Sequence, residues 1–431
     1  MPARLCRAHP RAKSMPNRRN ALYLLLIATL LTGLFTGRAF FFTLAYVFGG
    51  LLFISFVWAW LAVRWIGLNR KTRARRAQVG RNLEEVFVVR NRSIVPKLWL
   101  EIRDHSNLPG HRASHVVPAL RSLGSYRWQV ETPCLVRGEF QLGPMTLMSG
   151  DPFGFFLSPR RLDATSRVIV YPAVVPITHL ELPMGQISGG EAQRRRAHHV
   201  TTNAAGVRDY VPGDSFNRIH WNSTARKDRL IVKEFEIDPL VDIWLFVDFS
   251  ASSVVEDPTI QRTSPTGSII PTSAAIPPST EEYAVVIAAS LAKYFIDSER
   301  ALGFAAYTPH REVFQPERGN RQLTRILQTL AVARSFSQYT LRQMLTLETP
   351  YFTRGTTLVI VTASLDAAWV TEAQILSRRG IRPMCILVNP LSFGGIQAPD
   401  DVIAMLKLAR IPTIPVHKND DIGAALSQRP F

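Results

Sequence analysis

Two apolar runs, residues 21–37 and 39–63, follow one another with a single charge, Arg38, between them. Read as one straight helix, residues 21–63 would measure roughly 64 Å at ~1.5 Å per residue, about twice the ~30 Å hydrocarbon core of a bilayer. The segment has to fold back, and a turn at Thr36, Gly37 and Arg38 gives two spans of roughly 20 residues with the interior charge at the far membrane face. Fourteen of the 51 Lys and Arg lie in residues 1–83, where there is no Asp or Glu, leaving 37 basic against 33 acidic residues beyond. Basic residues flank both spans, so the positive-inside rule keeps both flanks, and the bulk of the chain, on the cytoplasmic side of the inner (plasma) membrane. A cleaved signal peptide also begins with a basic stretch and a short apolar run. Here the second run follows at once, with no convincing small-x-small cleavage site between them, and Tyr23, Trp58, Trp60 and Trp65 stand where interfacial aromatics belong. The basic surplus is thus accounted for at the membrane, and nucleic acid is not an expected partner. Cys6, Cys134 and Cys385 form no C-x-x-C pair, which excludes a zinc ribbon and agrees with a reducing compartment.

Beyond the membrane the hydrophobic pattern divides the chain. The expected organisation is a basic cytoplasmic N-terminus (1–20), a two-helix transmembrane hairpin (21–65), a β-sandwich-like domain (84–182), a basic loop with a charged segment (183–240) and an α/β domain (241–431) with an insertion at 254–280. Period-two runs at 86–89, 98–102, 126–130, 138–142 and 168–171, bounded by turn residues, predict the strands of the sandwich. From 242 onward, a continuous apolar strand at 243–248 and further strands at 302–307, 357–362, 384–388 and 413–416 alternate with helices at 281–299, 321–334, 341–347, 367–379 and 401–409. This is the pattern of a doubly wound, mainly parallel sheet. The fold class is therefore α/β plus all-β.

The ligand site of such a sheet lies past the carboxyl ends of its strands. The first strand delivers Asp248, Ser250 and Ser252 to that edge, one carboxylate and two hydroxyls suited to a hard cation such as Mg²⁺. This spacing resembles the D-x-S-x-S element of the metal-ion-dependent adhesion site of the von Willebrand factor A fold. That resemblance implies a middle-loop Thr and a fourth-strand Asp. Ala363 stands where the carboxylate is expected and no Thr adjoins Gly319, so the Mg²⁺ site reads as incomplete, with Asp366 the residue that could reach in. The alternative is that Asp248 and the serines only cap the following segment.

Upstream lies a denser pattern: Arg208, Asp209, Tyr210, Pro212, Gly213 and Asp214, then Arg218, His220 and Trp221, then Arg226. Interleaved charges of both signs with aromatics predict a partly buried ion network. This block is similar to the signature of the bacterial domain of unknown function 58 family. The likeness extends to the N-terminal hairpin, to Arg137-Gly138 through Leu142-Gly143-Pro144, to Asp151-Pro152-Phe153-Gly154 and to the A-type domain. The resemblance implies a von Willebrand factor A-like domain that serves as an adaptor for a MoxR-type AAA+ ATPase. A transglutaminase-like membrane protein is a second implied partner, because genes for both kinds of protein commonly neighbour those of the family.

Two other chemistries compete. Asp214, His220 and Ser223 supply the residue types of an envelope-associated hydrolase, but without a Gly-x-Ser-x-Gly elbow, so the expectation is a non-enzymatic binding protein. Arg194, Arg195 and Arg196, in a Gly-rich apolar-poor loop, suit either solvation or contact with anionic headgroups. His105, His111 and His115 are too loosely spaced for a zinc site, and no P-loop or dinucleotide fingerprint occurs.

Overall fold

The structure is a computed structural model that describes residues 16–73, 75–183, 204–211, 216, 219–235, 242–256, 276–308 and 310–431. Its contacts divide the chain into two compact units, Met1–Ala173 with Gln261–Ala275, and Val174–Ile260 with Ile276–Phe431. The architecture is mixed α/β, with several sheets and two apolar helices at the N-terminal side.

In the first unit, α1 (Pro16–Thr36) and α2 (Ala39–Ala62) are each long and apolar enough to cross a membrane and pack on one another. Gly37, at φ +61, makes the turn between them, a left-handed conformation that a Cβ would strain. Ten strands follow: β1 (Ile66–Thr72), β2 (Arg76–Gln78), β3 (Asn82–Asn91), β4 (Leu100–Asp104), β5 (His115–Val117), β6 (Ser125–Pro133), β7 (Gly138–Leu142), β8 (Met145–Gly150), β9 (Leu157–Leu162) and β10 (Ser166–Tyr171). Antiparallel sheets β1-β3-β6 and β5-β4-β8-β9 contribute to one core: Phe87, Val89 and Trp128 from the first meet Leu100, Ile102, Val117, Met145 and Leu147 from the second. Phe87 and Trp128 are directly opposite in the ladder, and their rings stack at 4.9 Å. A third sheet, β2-β10-β7, covers a smaller core of Leu83, Leu108, Cys134, Leu142, Val168 and Val170.

Sheet structure begins at Ile66, not at Glu84 where alternation becomes visible. The basic residues after α2 disguise β1, whose inward positions are Ile66, Leu68, Arg70 and Thr72. The strand leaves α2 directly. Lys97 donates Nζ–H to the Leu61 carbonyl at 2.7 Å and Arg160 donates to Val63 O at 3.1 Å, two cations at the negative end of the helix dipole. Burial of its ammonium lowers the pKa of Lys97.

In the second unit, β11 (Ala204–Asp209) and β12 (Ile231–Phe235) form an antiparallel ribbon around the short α3 (Trp221–Lys227). A six-stranded sheet follows, built from β13 (Ile243–Val247), β14 (Leu302–Thr308), β15 (His310–Glu317), β16 (Thr357–Thr362), β17 (Arg382–Val388) and β18 (Thr413–Val416). Its order is β15-β14-β13-β16-β17-β18, parallel throughout except for the antiparallel edge strand β15. The connecting helices are α4 (Thr280–Asp297), α5 (Asn320–Val332), α6 (Leu341–Glu348), α7 (Ala368–Arg378), α8 (Asp400–Leu408) and α9 (Ile422–Leu426). Trp244 and Phe246 face the core that α6, α7 and α8 complete with Met344, Trp369 and Leu406, while α4 also lies on β13, β14, β16 and β17. Gly303 is obligatory beside β13, since a Cβ there would stand 2.6 Å from the Trp244 ring. The stems of the expected insertion are joined, Val255 N–H to Thr280 Oγ1 at 2.9 Å and Thr280 N–H to Val255 O at 3.0 Å.

Candidate functional site

Strand β13 is the switch point of its sheet, because β14 follows it on one side and β16 flanks it on the other. Asp248, 3% exposed, is the first residue past its carboxyl end. Its Oδ1 accepts from the Ser250 amide at 2.9 Å and its Oδ2 from the Thr362 hydroxyl, at the end of β16, at 2.7 Å. Burial pushes the Asp248 carboxyl above its ordinary pKa, while the Thr362 and Ser250 hydrogen bonds pull it down. Thr362 Oγ1 in turn accepts from the Ser364 amide at 2.9 Å, so one carboxylate and one hydroxyl fasten the loops after β13 and β16 together. Ser250 Oγ is buried and makes no hydrogen bond among the described residues.

The expected cation ligands only partly come together. Asp248 and Ser250 adjoin. Ser252 is exposed on a single 3₁₀ turn, Ala251–Ser253. Asp366 is exposed and its Oδ1 accepts from the Ala368 amide at 2.9 Å, starting α7 as a local cap. Among the described residues no group of three His, Cys, Asp or Glu is placed to hold a metal ion. One buried carboxylate, already accepting from two protein donors and held toward its neutral form by burial, fits a loop fastener better than a Mg²⁺ ligand set.

A third loop completes this edge. Ser337 pairs with Ser250 across an isolated bridge, Ala251 N–H donating to Ser337 O at 3.0 Å and Ser337 N–H to Phe249 O at 3.2 Å. On either side of Ser337 the aromatic residues Phe336 and Tyr339 are 70% and 51% exposed. Neither stands out in the sequence, because isolated aromatics between two helices carry no period; the only signal is their proximity to Ser335 and Ser337 in an apolar-poor connection.

The charged block is described in part. Asp209 pairs with Arg229 at 3.1 Å, both side chains more than half exposed, and the rest of the expected ion network lies mostly outside the described residues. Tyr210 is half-buried with its ring 6.1 Å from that of Phe216, and Trp221 and Arg226 are exposed. The side chain of Arg208, and Pro212, Gly213, Asp214, Arg218, Arg194, Arg195 and Arg196, lie outside the described residues. His220 and Ser223 do meet, Nδ1 to Oγ at 2.7 Å, but the same Nδ1 accepts the Ser223 amide at 3.2 Å as the N-cap of α3. Burial pushes the Cys134 thiol up to about 11 and that of Cys385 in the same direction, so neither is poised as a nucleophile.

The first unit holds a buried charge cluster that no sequence motif foreshadows. Arg70 holds Glu85 through two bonds of 2.7 and 3.1 Å and reaches Asp104 at 3.4 Å. His111 Nε2 lies 2.8 Å from Asp104, and its Nδ1 lies 2.8 Å from Thr132 Oγ1. All four charged or titratable side chains are at most 3% exposed. Burial alone pushes Asp104 up, yet hydrogen bonds from His111 and Ser106 and the charge of Arg70 outweigh it and hold the carboxyl below its ordinary range. One signal is present: Glu85 occupies an inward position of an alternating strand, between Leu83 and Phe87.

Residues 206–382 match the model of a family described as "Protein of unknown function DUF58". The uncharacterized protein YeaD of Bacillus subtilis (strain 168) is 22% identical over 197 residues, 46% of this chain and 43% of the relative, so the match spans less than half of that protein. Among solved structures, the CARDB domain of the PF1109 protein from Pyrococcus furiosus aligns at 14% identity over 24% of this chain and 86% of that one, with a TM-score of 0.19. The alkylpurine DNA glycosylase AlkC of Pseudomonas fluorescens aligns at 12% identity over 25% of this chain and 30% of that one, with a TM-score of 0.18. Neither superposition carries an argument about this chain. The matched segment runs from the charged block to the start of β17 and, with the YeaD likeness, supports a protein of the DUF58 type.

Proposed function

We propose that the protein is a non-enzymatic adaptor, anchored in the inner membrane by α1 and α2 with its bulk in the cytoplasm, and that the second unit is a von Willebrand factor A-like module. The order of its parallel sheet, with an antiparallel edge strand and an Asp at the end of the central strand, supports that fold reading. The observation that carries the binding role is the carboxyl edge. Loops fastened by Asp248 present Phe336 and Tyr339 to solvent, and exposed aromatics over a rigid polar base are the anchors that protein interfaces bury. The partner, by family resemblance, is a MoxR-type AAA+ ATPase, with a transglutaminase-like membrane protein as a further component. The donor set argues against a tightly held Mg²⁺, so recognition works through the loops themselves. Affinity capture of the full chain from detergent extract, with and without Mg²⁺ and ATP, tests this: recovery of the ATPase supports the adaptor role, and its consistent absence defeats it.

The 2.7 Å contact between His220 and Ser223 favours a second reading, an envelope-associated hydrolase using the Asp214, His220 and Ser223 region. Its weakness is that the basic nitrogen is also the helix cap. Ester or amide turnover by purified protein that vanishes in Ser223→Ala would favour it over the adaptor.

A further inference from the structure

The two ends of the strand-rich first unit differ in kind. At the end that continues α2 lie residues 63–65 and the connections 92–99, 118–124 and 151–156. They are tied to one another and to the helix: Arg92 N–H to Trp65 O at 2.8 Å, Lys97 Nζ to Leu61 O at 2.7 Å, and the Ser122 hydroxyl to Ile94 O. These connections expose Trp65 (51%), Ile94 (83%), Leu98 (45%), Leu123 (68%) and Phe153 (52%). Trp65 and Leu123 even hold positive φ values of 55° and 54°, conformations that bulky side chains rarely adopt. The one acid in these connections, Asp151, is 2% exposed and turned inward, accepting the Phe153 and Phe156 amides at 3.0 and 2.7 Å, whereas Arg64, Arg92 and Arg121 are exposed. At the opposite end, exposed acids, Glu131, Glu139 and Asp163, stand among the exposed Arg73, Arg75, Arg76 and Arg81.

The depth of the 151–156 loop follows from both helices. The Phe156 ring meets that of Phe56 on α2 at 5.7 Å, and the Arg19 guanidinium of α1 lies 5.8 Å over it. Phe56 stands seventeen positions from Ala39, and Arg19 seventeen from Thr36. Each is about 26 Å along its helix from the hairpin turn, just short of a hydrocarbon core of ~30 Å. With α1 and α2 read as spans, both arms of the hairpin put Phe156 at the boundary between acyl chains and headgroups.

We propose that this end of the first unit is a second, non-spanning membrane contact, whose loops bury Ile94, Leu98, Leu123 and Phe153 in the interfacial layer of an anionic bilayer. Arg64, Arg92 and Arg121 meet lipid phosphates there. The surface is continuous with the lipid-facing sides of α1 and α2, and exposed apolar and basic groups without exposed acids complement an anionic interface. On this reading the Asp151-Pro152-Phe153-Gly154 motif shapes the contact. Its buried carboxylate and Gly154, at φ +76, preset the loop so that Phe153 stacks on Phe155 at 5.8 Å before lipid arrives. The inference rests on reading α1 and α2 as membrane spans.

The test uses the full chain in vesicles of phosphatidylcholine and phosphatidylglycerol, with Cys6→Ser, Cys134→Ala and Cys385→Ala as background. A nitroxide is placed in turn at Ile94→Cys, Leu123→Cys, Phe153→Cys, at Phe53→Cys on the lipid-exposed side of α2, and at Asp163→Cys at the opposite end. Oxygen should relax the labels at 94, 123 and 153 severalfold more than a water-soluble nickel chelate does, as at 53, with the reverse at 163. If 53 reports lipid while 94, 123 and 153 behave like 163, or are shielded from both reagents by a protein partner, the proposal is overturned. If 53 itself reports water, the spanning helices have failed and the docking falls with them.

Discussion

Two buried carboxylate sites, one in each unit, show what a charge in a protein interior can be for. Glu85 and Asp104 are compensated by Arg70, with His111 bridging them, and all four side chains are shut away from solvent. Asp248 is held by neutral donors, a hydroxyl and an amide. The first arrangement stabilises an already closed core, in which charge neutralises charge. The second fixes loops at a sheet edge, where the next layer outward is exposed aromatic surface. The carboxylate side chains are shut away in both sites; what differs is the partner, a charge in the first and neutral donors in the second.

The contrast can be broken by mutation. Glu85→Ala leaves Arg70 buried without its bidentate partner and should cost about 3–5 kcal/mol, read as a large fall in the thermal midpoint of the full chain in detergent. Asp248→Ala strands the Thr362 hydroxyl and the Ser250 amide, a loss of about 1–3 kcal/mol, and Asp248→Asn should recover part of it. A cost for Asp248→Ala as large as that for Glu85→Ala would erase the distinction.

The two sites also carry opposite pH signatures. Asp104 is held below its ordinary range, so the stability it contributes is present above about pH 4 and is lost as pH falls through its lower folded value. Asp248 is raised, so its contribution is present below about pH 4 and is lost as pH rises through its higher folded value. Melting between pH 2 and 7 should therefore show a flattened acid limb in Asp104→Asn and a steepened one in Asp248→Asn. Parallel curves would mean that neither site is as described. The smallest effects belong to the surface: Phe336→Ala and Tyr339→Ala should each move stability by within about 0.5 kcal/mol, and millimolar Mg²⁺ should leave the wild-type midpoint where it is.

The second unit is the more legible of the two in sequence. Strands 243–247 and 384–388 announce themselves as unbroken apolar runs because both faces of a parallel sheet are covered. The first unit hides more. Strand β1 reads as a basic membrane flank because Arg70 faces inward toward Glu85, and no local pattern reveals an ion pair that closes only across a ladder. Strands β8 and β9 pass unnoticed because the buried Met145, Leu147 and Met148 precede a segment, Ser158-Pro159-Arg160-Arg161, with no alternation of its own. At the candidate site Asp248 and Ser250 are visible. The Thr362 hydroxyl that fastens them is not, since a threonine ending a β-branched strand looks like any other strand residue.

The most direct test of the adaptor account is a titration of the purified MoxR-type ATPase into the full chain in nanodiscs, comparing wild type with the double variant Phe336→Ala/Tyr339→Ala. The account predicts saturable binding to wild type and an affinity at least about tenfold weaker for the double variant, roughly 1.4 kcal/mol, at unchanged melting temperature. Equal affinities, or no binding to wild type, would contradict it.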